Sequence, residues 1–150
     1  MKVVVQRVTR ASVSIGGALH SQVGSGLLLL VGIGRRDTGE SLAWMSRKIP
    51  NLRIFEDEAG KMNLSVKDAG GSILAVSQFT LYGDASRGNR PGFSGAAPPE
   101  EARGMFDRFV EELRRESGCV VETGSFGADM QVELLNDGPV TIILESPEPQ

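Results

Sequence analysis

The 150-residue sequence holds one cysteine, Cys119, and one histidine, His20, and its longest apolar run, Leu27–Val31, is cut by Gly32. Each shortage excludes something. One thiol cannot close an intrachain disulfide, and one thiol with one imidazole cannot build a CxxC or HExxH zinc site. Cys119 reads as a small buried thiol and His20 as a surface or edge-strand imidazole. An isolated imidazole in an early strand, with no matching signature beside it, is a poor base for a Ser-His-Asp or Cys-His hydrolase. The apolar runs fall short of the roughly 18 residues that a membrane-spanning helix needs. The opening MKVVVQRVTRAS enters strand-like alternation without a cleavable signal, so the expected compartment is the cytoplasm. No cofactor and no metal is called for, which leaves the chemistry to backbone groups, hydroxyls, amides, carboxylates, arginines or the substrate itself.

The formal net charge is −3, yet the charges are uneven. Residues 1–53 carry eight basic side chains against Asp37 and Glu40, whereas the remainder carries eight against seventeen acidic ones. That asymmetry leaves room for a basic face that meets an anionic partner, although ordinary solvated charge accounts for it equally well.

Hydrophobic periodicity predicts many short strands. Val3, Val5 and Val8, then Val13 and Ile15, read as a first hairpin turning near Thr9-Arg10, followed by a strand over Leu19–Val23. Leu27 to Ile33 has the unbroken apolar look of a strand buried on both faces. Asp37 to Glu40 opens a helix whose Leu42, Met45 and Ile49 form one stripe, with Pro50 as its stop. Leu52–Phe55 and Ser72–Gln78 bracket a polar hairpin that turns at Glu56–Gly60. A second helix opens at Pro98-Pro99-Glu100-Glu101, turns Ala102, Phe106, Phe109, Val110 and Leu113 inward, and ends at Gly118. Three strands close the chain: Cys119–Thr123, Met130–Leu135 and Val140–Glu145, the last two separated by the turn formers Asn136-Asp137-Gly138-Pro139. With no linker and no repeat, residues 1–150 read as a single α+β domain of mostly antiparallel, barrel-like sheet with two main helices on one side.

Two segments carry chemistry. Ser77, Gln78 and Thr80 place hydrogen-bonding side chains where the buried strand Ile73–Val76 ends, a common place for a site. The following segment 83–97, GDASRGNRPGFSGAA, is too long for a simple connection and too polar for core. Within it Arg87 and Arg90 offer phosphate-binding forks and Phe93 a stacking face.

SQFTL at 77–81, GNRPGF at 88–93, FGADM at 126–130 and NDGPVT at 136–141, in that order behind the opening VVVQRVTRASV, resemble the D-aminoacyl-tRNA deacylases over essentially the whole chain. The resemblance implies a homodimeric hydrolase that cleaves the ester between a D-amino acid, or mischarged glycine, and the 3′ end of tRNA. It implies a cis Gly138-Pro139 pair inserted into the other subunit's site, facing the partner subunit's Ser77, Gln78, Phe79 and Thr80. The amides of Phe79 and Thr80 would meet the developing oxyanion, Thr80 would position rather than attack, and the substrate's ribose 2′-OH or water would handle the proton. Phe126, Gly127, Met130 and Asn136 join the substrate-binding set, with Phe126 and Met130 at the terminal adenosine. Arg7 would brace the inserted loop across the dimer, and Arg87 and Arg90 would meet phosphates. Gly92 stands where the family usually has serine, so any hydrogen bond from that side chain is lost. Rigid backbone filling the place of an L side chain would reject L esters by exclusion.

Overall fold

The computed structural model describes residues 1–149. Its elements are β1 (Lys2–Ile15), β2 (Ala18–Val23), β3 (Gly26–Gly32), α1 (Gly39–Asn51), β4 (Phe55–Glu56), β5 (Met62–Leu64), β6 (Ser72–Ser77), a 3₁₀ turn (Phe79–Tyr82), α2 (Pro99–Ser117), β7 (Val121–Thr123) and β8 (Gln131–Glu145). The main sheet runs β2-β1-β3-β6-β7, with β8 paired to β1, and β4-β5 form a separate hairpin. Pairings of β1 with β2, β3 and β8 are antiparallel, whereas β3-β6 and β6-β7 are parallel. The expected α+β architecture, a nearly closed sheet with two helices on one side, is the one observed. No helix among the described residues is long and apolar enough to cross a membrane.

The first expected hairpin is instead one strand. β1 continues through Thr9-Arg10, pairing with β3 over Lys2–Val8 and with β2 over Ala11–Ile15. Neither Thr9 nor Arg10 adopts a positive φ, and neither residue has the backbone freedom a tight reversal needs. What the sequence pattern registered there was a change of phase. Arg7 and Val8 are both buried, Thr9 and Arg10 both exposed, and alternation resumes at Ala11. β2 contacts β6 and β7, which curls the sheet toward closure.

The two last strands are likewise one. β8 runs antiparallel to β1 on both sides of its turn-like motif, from Ser14↔Gln131 to Val8↔Asn136 and from Gln6↔Thr141 to Lys2↔Glu145. Two steps along β1 are therefore matched by five along β8, and the surplus is thrown out as a wide bulge over 137–140. Local turn chemistry cannot distinguish a bulge from a reversal. The shared partner strand decides it.

The core has two faces because β3 is covered on both. Leu27, Leu29 and Val31 pack with Leu42, Met45 and Ile49 of α1 and Phe106, Phe109 and Leu113 of α2, while Leu28 packs with Val8, Val13, Leu74 and Val76 inside the curled sheet. Thr38 caps α1 with a reciprocal capping box, its hydroxyl accepting from Glu40 N and its own N–H donating to Ser41 Oγ. Pro50 does not stop α1 as expected but sits in its last turn, and the helix closes at Asn51. Pro99 opens α2 and Gly118, at φ 64°, closes it in the left-handed region. The Met1 amino group, bonded to Asp37 and to Ser146 Oγ, ties the start of β1 to the approach to α1 and the end of β8.

Phe109→Ala, on the helix face, and Leu28→Ala, inside the sheet, are each expected to lower the unfolding free energy by about 2–5 kcal/mol. Urea unfolding, read as a fall in midpoint at unchanged slope, checks both.

Candidate active site

β6 is buried and parallel to β3, so both strands deliver their ends to the same side of the sheet. There the chain leaves β6 at Ser77, Gln78 N donates to Val31 O at 2.8 Å, and the 3₁₀ turn begins at Phe79. The first N–H groups of such a turn have no partner within it. Leu81 N donates to Gln78 O and Gly83 N to Thr80 O, while no hydrogen bond among the described residues uses the N–H of Phe79 or Thr80. Gln78 Nε2 donates to Thr80 Oγ1 at 3.0 Å, which holds the hydroxyl with its proton free to point elsewhere.

A cavity of about 500 Å³ opens beside this turn. Ser77, Gln78, Phe79 and Thr80 form one wall, Phe126, Gly127, Ala128 and Met130 a second, and Ala96 to Pro99 with Ala102, at the start of α2, a third. That size lies in the range of small-molecule sites. Arg35 is the only ionisable side chain on the wall. Tyr82, the last residue of the turn, is no base either: burial first, then the Asp37 carboxylate, push its phenol above the usual range.

The long segment 83–97 is anchored at both ends. Asp84 and Gly92 exchange two backbone hydrogen bonds, Arg35 N donates to Gly95 O, and Ala97 N donates to Ile33 O. Phe93 packs edge-on against Phe79, which is 55% exposed, at 5.1 Å between centroids, and both rings line the cavity. Arg87 and Arg90 stand at the exposed tip and do not line it. A Cβ at Gly92 would meet nothing within 4 Å. Phe126 is held from behind by Phe106, at 6.4 Å between centroids, and the Arg103 guanidinium lies 4.9 Å from its ring centre. Met130 fits its place because Gly124 has no side chain; a Cβ there would fall 2.5 Å from the Met130 sulfur. His20 is exposed and lies outside the cavity that holds Ser77.

The remaining candidates cluster at the β8 bulge. Asn136 Nδ2 donates to Arg7 O and to Val140 O, both at 3.0 Å, so one amide staples the two ends of the bulge to each other and to β1. Arg7, 6% exposed, donates through Nη1 to Ile54 O at 2.7 Å and through Nε to Asp137 O at 3.2 Å. Within the chain it therefore braces, from β1, the bulge of the neighbouring β8. The Gly138-Pro139 bond is cis, both residues are exposed, and neither lines the cavity. Gly138, at φ 129°, has Val140 and the Arg7 guanidinium where a side chain would go. Apart from Arg87 and Arg90 at the loop tip, the candidates form two groups, Ser77 to Thr80 with Phe126, Gly127 and Met130 at the cavity, and Arg7 with Asn136, Gly138 and Pro139 at the bulge.

The model for the D-Tyr-tRNA(Tyr) deacylase family matches residues 4–145. The chain belongs to this deacylase family. It is 74% identical over 148 residues to a D-aminoacyl-tRNA deacylase of Chlorobaculum tepidum, covering 99% of each chain, and 58% identical over 146 residues to one of Anaeromyxobacter dehalogenans, covering 97% of each. A solved structure described as a c-Myc DNA unwinding element binding protein is 52% identical, with a TM-score of 0.92 over 98% of this chain and 99% of that one. A probable eukaryotic D-amino acid tRNA deacylase shares the fold at 17% identity, with a TM-score of 0.82 over 95% and 97% of the two chains. As a deacylase-family member the chain is a hydrolase, and the family acts on D-aminoacyl-tRNA esters.

The wall residues Arg35, Ala96, Ala97 and Ala102 were not among the sequence candidates. Arg35 had the same signal as Ser77, a polar residue at the exit of a buried strand. The alanines and prolines had none, because a wall of small residues is indistinguishable in sequence from ordinary packing.

Asn136→Ala removes three hydrogen bonds that hold the bulge and is expected to cost about 1–3 kcal/mol. Hydrogen exchange at the amides of residues 136–138, 140 and 141 is expected to accelerate more than exchange in α2.

Proposed function

We propose that the protein is a chiral-proofreading deacylase that frees tRNA from D-amino acids, and from mischarged glycine, by ester hydrolysis in the cytoplasm as a homodimer. The observation that carries this reading is the division of the candidate residues. Ser77 to Thr80 line a cavity with unused amides at Phe79 and Thr80, while Gly138-Pro139 is presented outward on a stapled bulge away from that cavity. Each half lacks what the other offers, and a second copy supplies it. β8 carries Ile143, 72% exposed, and Leu135, 50% exposed, an apolar surface suited to meeting that copy.

In this reading the ester carbonyl lies against the amides of Phe79 and Thr80, which stabilise the oxyanion as water adds. The adenosine rests between Phe126 and Met130. The partner subunit's Gly138-Pro139 backbone fills the side of Cα where an L side chain would project, so D esters and glycine enter and L esters do not. No wall residue has an activating base beside it, so the proton passes through the ribose 2′-OH or water, and the rate gain comes from orientation and the two amides.

Rates of tyrosine release from D- and L-tyrosyl-tRNA test the proposal. D-ester turnover at least about a hundredfold faster is expected, and Gly138→Ala is expected to reduce it by roughly a hundredfold, the scale of a 1 Å misplacement. Equal rates for the two esters would sink the reading, and retained tRNA binding without any D-ester turnover would favour a non-catalytic RNA-binding module.

The pH profile gives a second check. With only a guanidinium ionisable on the wall, any inflection of kcat/KM between about pH 6 and 9 is expected to belong to the substrate's α-amino group, whose unperturbed pKa is about 7.7–8.0 in peptides. Two D-amino acids with different amine pKa values should move the inflection by that difference; an inflection fixed regardless of substrate would indicate a protein base.

A further inference from the structure

Arg35 forms no ion pair among the described residues, and the two carboxylates of the pocket behind it are engaged elsewhere, Asp37 by the Met1 amino group and Glu148 by Arg36, the latter at 3.3 Å. Arg108 pairs with Glu112. Arg35 lies at the edge of the cavity whose other wall residues are all neutral. One of its donors is committed: Nε bonds to Ser94 O. With the backbone bond from Arg35 N to Gly95 O at 3.0 Å, that contact fixes where the guanidinium emerges. The two terminal nitrogens have no acceptor among the described residues. A guanidinium aimed by its Nε, with its planar pair of terminal donors unused, matches a carboxylate or phosphate in fork geometry.

The substrate's chemistry selects between those anions. An aminoacyl ester has no free carboxylate, and its amine is cationic or neutral. Moving outward from the ester through ribose and base, the first negative charge is the phosphodiester on the 5′ side of the terminal adenosine. We propose that Arg35 is the residue that recognises this phosphodiester, so that the site requires a nucleotide beyond the terminal adenosine for full affinity; this rests on the reading of the cavity as the D-aminoacyl-tRNA site. Phosphate contacts of this kind set register and affinity without reading sequence. Arg87 and Arg90, outside the cavity, are left to more distant phosphates.

Three D-tyrosine esters separate the possibilities: on tRNA, on the dinucleotide cytidylyl-adenosine, and on adenosine, which has no phosphate. Arg35→Gln is expected to raise KM for the first two by about tenfold, with a smaller effect on kcat, and to weaken use of the adenosine ester at least about fivefold less. Arg35→Lys should recover part of the loss, and the salt dependence of kcat/KM on tRNA should flatten by about 0.7 in log–log slope, one single-strand phosphate contact. Equal loss on all three esters would overturn the proposal, since Arg35 would then act only by tying down the loop through Ser94. No loss on the dinucleotide would overturn it as well. Wild-type protein that hydrolyses none of the three would overturn the reading of the site and this inference together, whereas wild-type turnover unaffected by Arg35→Gln overturns the inference alone.

Discussion

The structure depends on the antiparallel pairing of β1 with β8 along nearly their whole lengths, interrupted by the bulge at 137–140 of β8 and by one extra residue of β1, Thr9, between Val8 and Arg10. Because β1 also carries β2 and β3 on its other edge, it is the strand through which every part of the main sheet is connected. The interruption in β8 is therefore held by the most constrained strand of the fold. Asn136 spans it, Arg7 anchors it from a buried position, and Thr141 Oγ1 donates to Asn136 Oδ1 at 3.4 Å, closing the motif on itself. The Asn and Thr of NDGPVT serve the shape of the bulge, and its Gly and Pro are what the shape displays.

The cavity is built on different terms. Its floor is the end of a parallel strand pair, one edge is a turn with two uncommitted amides, and its rim is a long loop fastened by backbone bonds to the segment after β3. Segment 83–97 is packed at its base through Phe93 on Phe79 and exposed at its tip. The loop thus divides between wall and surface, and Gly92, whose absent side chain would have touched nothing within 4 Å, falls on the surface part.

Sequence patterns disclosed most of the fold where burial is two-sided or periodic. The unbroken apolar run became β3, and the stripes of Leu42, Met45, Ile49 and of Phe106, Phe109, Leu113 became the inward faces of α1 and α2. They misled at Thr9-Arg10 and at Asn136–Pro139, where a change of phase and a cluster of turn formers were read as reversals. Both errors have one cause: whether a chain turns back or merely bulges is determined by which strand it pairs with, and that partner lies over a hundred residues away in sequence. The same limit applies to the site. Ser77, Gln78 and Thr80 were visible as hydrogen-bonding side chains at the exit of a buried strand, a common place for a site, whereas the division of the motifs between a cavity and a distant bulge is a fact of three-dimensional placement alone.

The lack of nucleophiles on the cavity wall has a pharmacological side. The wall offers no thiol, imidazole or amine, and the hydroxyls of Ser77 and Thr80 have no base beside them. Electrophilic inactivators that depend on an activated nucleophile would find nothing to alkylate or acylate, and among oxidants only one that reaches the Met130 thioether could alter the wall. Blocking such a site falls to compounds that fill its shape and satisfy the two amides of the 3₁₀ turn, a recognition problem rather than a reactive one.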